Sequence, residues 1–262
     1  MISSSKTCSS VATALRTTDQ IPTVVVLPTY NEIANLRGIV TEILKVSPAI
    51  SLVIVDDASP DGTGEEAERL AASLGRVSVI RRRGKLGLGS AYRQAFQSIL
   101  KGTDAEVICQ MDADFSHKPA DLMRALDAVC NGGWDVVVGS RYVPGARIHN
   151  WPRRRLLLSR FGNVYTRLVT GIPQFDVTAG MKCWRRKALE EIDMDSVKTD
   201  GYGFQIEMSW NAWKRGCTIY EVPITFAERA HGASKMDWPI VWEAMLLPWK
   251  LRFRSAARTP KS

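Results

Sequence analysis

Glu106-Val107-Ile108-Cys109-Gln110-Met111-Asp112-Ala113-Asp114 is a short apolar strand that runs straight into two acids. It is the third such segment. Thr23–Leu27 leads into Pro28-Thr29-Tyr30-Asn31-Glu32, and Ser51–Val55 into Asp56-Asp57-Ala58-Ser59-Pro60-Asp61. Between and after these runs the periodicity predicts helices over 32–46, 63–74, 90–100 and 119–130, with further strands over 77–80, 135–138 and 218–222. Regular alternation of strand and helix implies an α/β chain with a mostly parallel, Rossmann-like central sheet and helices on both faces. Ligands of such sheets gather outside the carboxyl ends of the strands. Four polar clusters then share one rim: 28–32, 56–61, 112–114 and Gly139-Ser140-Arg141-Tyr142.

Side chains two apart on extended backbone point the same way, so Asp112 and Asp114 are expected to face one ligand while Ala113 turns inward. Two carboxylates that close repel unless a cation lies between them or one is protonated. A divalent metal, magnesium or manganese, held by these two acids and by phosphate oxygens satisfies that requirement. A solvated turn capping the helix near Pro119 is the alternative.

With 262 residues, 45% of them hydrophobic, the chain can bury one large core. The expected organisation is a disordered, Ser/Thr-rich tail over 1–20, a principal domain over 21–235 and a tryptophan-rich segment over 236–262. No signal-like or membrane-spanning run is evident, which places the chain in the cytosol, with any membrane attachment peripheral on the cytoplasmic face. Five cysteines without C-x-x-C spacing argue against a disulfide framework and against zinc. A net charge of +8 favours an anionic partner but does not choose among nucleic acid, phosphorylated substrate and acidic lipid.

Arg147, Arg153, Arg154, Arg155, Arg160 and Arg167 fall in a stretch with no acid. With Arg141 they suit a phosphate-bearing acceptor, because guanidinium forks match phosphate oxygens; a solvated basic helix face is the alternative. Arg81-Arg82-Arg83-Gly84-Lys85, followed by Leu86-Gly87-Leu88-Gly89, fits neither the P-loop nor the dinucleotide fingerprint. Arg229-Ala230-His231-Gly232-Ala233-Ser234-Lys235 has the makings of a loop closing over a diphosphate, or of a surface turn. His117, His149 and His231 lack helical metal-pair spacing and read as polar surface or supporting residues. Trp238, Trp242 and Trp249, mixed with apolar residues and followed by Arg252, Arg254 and Arg258, suit a bilayer interface or a packed helix. Trp151-Pro152-Arg153-Arg154-Arg155-Leu156-Leu157-Leu158 repeats that mix.

Taken together, LPTYNE (27–32), VDDASPDGT (55–63), LGLGSAY (86–92), MDADFSHKP (111–119), GSRYV (139–143), GYGFQIEM (201–208) and the loop 229–235 resemble the dolichol-phosphate (polyprenol-phosphate) mannosyltransferases. These are glycosyltransferases of family 2 with a GT-A fold. The resemblance implies that Pro28, Tyr30, Glu32, Val55 and Asp57 hold the guanosine. Asp112, Ala113 and Asp114 would carry the sugar nucleotide, with Mg2+ or Mn2+ on Asp112 and Asp114. Arg229 and Lys235 would meet the donor's phosphates; Arg141, Arg155 and Ser159 would meet the acceptor phosphate. The implied catalytic set is Asp112, Asp114, Arg141 and Lys235. Two departures stand out: Ser116 occupies a position where some relatives carry Gln, and the membrane helices that end many relatives have no counterpart here, which implies a membrane-anchoring partner or direct attachment.

The implied reaction is inverting transfer of mannose from GDP-mannose to a polyprenyl or dolichyl monophosphate in a membrane. A glucosyltransferase using UDP-glucose keeps the fold and changes the substrates. A response-regulator receiver has no use for the second acid motif. A nucleic-acid module does not account for acids that repel phosphate, so no nucleic-acid partner is expected.

Overall fold

The computed structural model describes residues 17–227 and 238–254, with side chains of the last segment from Met245 onward. In chain order the first half runs β1 (Thr23–Thr29), α1 (Ile33–Val46), β2 (Ile50–Asp56), α2 (Thr63–Ser73), β3 (Val77–Arg81), α3 (Leu88–Gly102), β4 (Val107–Gln110), α4 (Pro119–Asn131) and β5 (Val136–Ser140). It continues with β6 (Arg147–His149), α5 (Arg153–Thr170), β7 (Lys182–Arg185), α6 (Arg186–Glu190), α7 (Gly201–Lys214), β8 (Ile219–Pro223), β9 (Thr225–Ala227) and α8 (Trp238–Phe253). Thr18–Gln20, inside the stretch read as a tail, form a single 3-10 turn; residues 1–16 lie outside the described chain.

The setting of β1 explains the unbroken apolar run Val24–Leu27. Val25 and Leu27 project into a cluster with Leu36, Ile39 and Ile43 of α1 and Leu122, Leu126 and Val129 of α4. Val24 and Val26 project to the other face, against Tyr92 and Phe96 of α3 and Phe204 and Met208 of α7. A strand covered on both sides needs an unbroken apolar run, and truncating Leu27 to Ala would cost about 2–5 kcal/mol.

The seven strands lie in the order β3-β2-β1-β4-β7-β5-β8. All pairings among β3, β2, β1 and β4 are parallel, as is β5 with β8, while β7 runs antiparallel between β4 and β5. Two antiparallel steps restore direction, so β5 points the same way as β4. The carboxyl ends of β1, β2, β4 and β5 therefore open on one rim.

α5 breaks the usual rule for a helix on a core. It buries Asn163, Thr166, Val169 and Thr170, while Leu157, Leu158, Phe161, Val164 and Leu168 are exposed. α8 packs beside it: Leu247 and Leu251 join Ile172, Val177, Ile206 and Trp210 in a third cluster, and Met245, Leu246, Trp249 and Phe253 face outward. The Tyr165 hydroxyl donates to the Met245 carbonyl at 2.7 Å, and Arg254 reaches Glu207 of α7 at 2.6 Å. Over its described side chains, from Met245 onward, α8 thus docks on the fold through Leu247 and Leu251, with Pro248 inside the helix; residues 236–237 and 255–262 lie outside the described chain.

Candidate functional site

At the rim the first two clusters are organised largely by their own hydrogen bonds. Asp56, fully buried, accepts from the Ser59 amide and hydroxyl at 3.1 and 2.5 Å and from the Thr29 hydroxyl at 3.2 Å. Asp57 pairs with the buried Arg82 and accepts from the amides of Leu86 and Gly87, both at 3.1 Å. Arg82 also reaches the Ser90 hydroxyl at 2.6 Å and the Gly87 carbonyl at 3.2 Å. Asp57 therefore shapes the 82–90 turn, and Arg82, in the middle of the basic run Arg81-Arg82-Arg83, turns inward. Gly89 is required there, because a Cβ would sit 2.6 Å from the Thr199 carbonyl oxygen.

Tyr30 lies half open on the rim with the Lys85 ammonium 4.0 Å from its ring centre. Glu32 accepts from Asn35 at 2.8 Å and its amide donates to Thr63 at 2.9 Å. Pro28 is half-buried in β1, whereas the Val55 side chain is fully buried against α3. These residues line one end of the rim, with Val55 beneath it.

β4 stops at Gln110, so the acid pair sits in the following turn and strand alternation does not strictly govern it. Ala113 does turn inward, packing with Met111 in the first cluster. The Asp112 side chain is about a quarter exposed, and its Oδ2 lies 3.9 Å from His117 Nδ1. Asp114 is buried and accepts from the Ser116 amide at 3.0 Å. Below them the buried Tyr92 hydroxyl donates to the Met111 carbonyl at 3.4 Å; burial, then the charges of Asp112 and Asp114, push its pKa well above the ordinary phenol value. Burial pushes His117 down, against the pull of both acids. His117 is not at the surface: its ring is packed edge-on against Phe226 at 5.2 Å.

Gly180 faces Asp112, and a Cβ there would lie 3.0 Å from Asp112 Oδ2 and 3.3 Å from His117 Cε1. Among the described residues no group of three or more His, Cys, Asp or Glu converges to hold a metal ion. That suits a cation taking most of its ligands from a bound diphosphate, as magnesium usually does. Ser116 Oγ is 3.3 Å from His117 Nδ1.

The other end of the rim is cationic and aromatic. Arg141 is buried and paired with the fully buried Asp176 through Nε and Nη2, each at 2.7 Å; its amide donates to the same carboxylate at 2.9 Å and Nη2 to Thr178 at 2.8 Å. Burial works to lower the Arg141 pKa, but Asp176 holds it well above its ordinary value. The sequence reading gave Arg141 wholly to a ligand, yet Asp176 takes two of its nitrogens. The Arg141 guanidinium also lies 5.4 Å from the Trp151 ring centre and Arg155 lies 4.2 Å from the same ring. Tyr142 donates to Ser159 Oγ at 2.6 Å. Arg141, Arg155 and Ser159 are thus brought together, although they come from a strand end and a separate helix. Arg229, His231 and Lys235 lie outside the described residues.

Sequence reasoning missed Asp176 and Trp151 as site residues. An acid set between Phe175 and Val177 was the available signal for the first. Trp151 was noticed only for its likeness to an interfacial segment. Lys182 was also missed: fully buried on β7, it donates to the carbonyl and Oε1 of Gln205, both at 2.9 Å, and burial lowers its pKa to about 7 against the opposing pull of Asp176.

A mostly parallel sheet with acids at one end of its carboxyl rim and guanidiniums at the other has the GT-A-like fold. Solved structures of glucosyl-3-phosphoglycerate synthase from Mycobacterium tuberculosis share it. The complex with Mg2+ and UDP aligns with TM-score 0.64 at 20% identity, covering 88% of this chain and 79% of that one. The complex with Mn2+, UDP and phosphoglyceric acid also gives 0.64, at 18% identity, covering 90% and 80%. The model for Glycosyl transferase family 2 matches residues 24–193, and the chain belongs to that family. The polyprenol monophosphomannose synthase of Mycolicibacterium smegmatis is 46% identical over 235 residues, 88% of each chain. The undecaprenyl-phosphate mannosyltransferase of Micrococcus luteus is 43% identical over 222 residues, 84% of this chain and 90% of that one.

Proposed function

We propose that the chain transfers mannose from GDP-mannose to a polyprenyl monophosphate, with inversion at the anomeric carbon. The observation that carries this reading is the division of one rim into an acid end and a guanidinium end, as a charged donor and a charged acceptor both require. The names of the two bacterial mannosyltransferases support the choice of sugar and lipid.

Pro28, Tyr30, Glu32 and Asp57 form the nucleoside end in this reading, Val55 backs it from the core, and Ala113 brings its backbone to the donor. Asp112 and Asp114 would hold Mg2+ or Mn2+, which when bound neutralises charge growing on the departing diphosphate. Lys235 and Arg229 would close on that diphosphate. The acceptor needs no strong general base, because a phosphate monoester with its second pKa near 6 is already anionic at neutral pH. Arg141, Arg155 and Ser159 therefore act by placing that anion in line with the anomeric carbon.

The exposed apolar faces of α5 and α8, flanked by Arg153, Arg154, Arg160, Arg252 and Arg254, would rest on the cytoplasmic membrane surface that carries the acceptor. Among the described residues no helix is long and apolar enough to cross a membrane. The test is incubation with radiolabelled GDP-mannose, a polyprenyl phosphate and manganese, followed by organic extraction. Counts in the lipid phase are expected. Counts obtained only from UDP-glucose would overturn the donor, and none from either would overturn the acceptor. Arg141→Ala should raise the KM for the acceptor while leaving GDP affinity in place.

A further inference from the structure

We propose that Trp151 is a positioning residue for the acceptor phosphate, its indole fixing Arg141 and Arg155 relative to one another. The proposal rests on the reading of those two arginines as phosphate partners and adds the element that makes them one clamp. Arg141 leaves the end of β5, whereas Arg155 belongs to the first turn of α5; neither is bonded to the other. Both guanidiniums lie over a single ring, Arg155 at 4.2 Å and Arg141 at 5.4 Å from its centre. Two like charges so close repel before any anion arrives, and the negative face of an indole offsets part of that cost for each.

The ring itself is held. Phe226 of β9 meets Trp151 edge-on at 5.5 Å and 81°, and the Arg141 guanidinium is 5.4 Å from the same phenyl ring. Phe226 also packs against His117, so the clamp is braced from the acid end of the rim. Asp176 and Thr178 hold one side of Arg141, and the indole is the ring that Arg141 and Arg155 share. The indole N–H is buried with no hydrogen-bond partner among the described residues. Nothing within the described residues therefore ties Trp151 by its polar atom; its contacts there are made by the ring.

The test uses the full chain with GDP-mannose, manganese and a short, water-soluble polyprenyl phosphate, so that membrane docking does not enter. Trp151→Leu should raise the KM for that acceptor about tenfold and leave GDP affinity within about twofold of wild type, which also shows that the fold survives. Trp151→Phe keeps a ring face and drops the N–H; its KM should stay within about threefold of wild type. In an Arg155→Ala background, Trp151→Leu should add no more than about twofold, because residues acting through one another are not additive. An unchanged KM in Trp151→Leu, a Phe variant as poor as the Leu variant, or the same loss with and without Arg155 would overturn the proposal. Wild-type enzyme that transfers nothing to the polyprenyl phosphate would instead overturn the acceptor reading beneath it.

Discussion

Lys182 offers a test of the buried scaffold behind the rim. Its amine is fully buried and donates twice, to the carbonyl and side-chain oxygen of Gln205. Two N–H groups satisfy that arrangement, so the neutral amine suits the site. Burial brings its pKa from 10.5 to about 7. At roughly 1.4 kcal/mol per unit, the folded chain bears a burden on the order of 5 kcal/mol whenever Lys182 must be charged. Below pH 7 both folded and unfolded chains carry the proton, and the burden is fully present. Between about 7 and 10.5 the unfolded chain binds more protons than the folded one, so this contribution to stability rises with pH. Lys182→Met, similar in length and unable to ionise, removes the dependence. Urea unfolding of both proteins from pH 6 to 10 isolates it, since other titrations cancel in the difference. The variant should be favoured most near pH 6, and wild type should recover several kcal/mol relative to it by pH 10. A difference that is flat across this range would refute the neutral, desolvated amine.

Gly180→Ala would press a methyl group onto Asp112 and His117, and transfer should fall at least about tenfold while urea stability changes little; unaltered turnover would show that Asp112 has slack. Asp114→Ala should remove nearly all transfer and leave the circular dichroism spectrum intact, and near-normal turnover with saturating manganese would defeat the metal assignment. Leu158→Glu with Phe161→Glu should abolish co-sedimentation with anionic vesicles while sparing transfer to a water-soluble acceptor. Retained sedimentation would place the lipid-facing surface elsewhere.

Most of the sheet was legible because β1, β2 and β4 are covered on both faces and carry apolar runs through their middles. Their shared direction put the polar clusters on one rim, as the alternation implied. β7 was not legible: Lys182-Cys183-Trp184-Arg185 begins and ends in cations, and only tertiary burial of the Lys182 stem makes it a central strand. In α5 the apolar residues recur at helical spacing yet face outward, an orientation that only the fold shows. The partners of Asp57, Arg82 and two amides, come from a turn whose shape no spacing reveals. Arg141 and Arg155 were legible as cations; the carboxylate and the ring that aim them lie 35 residues on from Arg141 and four residues before Arg155 and required the fold.

The antiparallel insertion of β7 has one more outcome. The short strap leading into it, Asp176 to Gly180, grips Arg141 with its first and third residues and abuts Asp112 with its fifth. In the proposed division of the rim, remodelling for a different lipid or a different sugar is therefore not modular: a change that shifts this strap would be felt at both ends, and exchanging one specificity would require retuning the other.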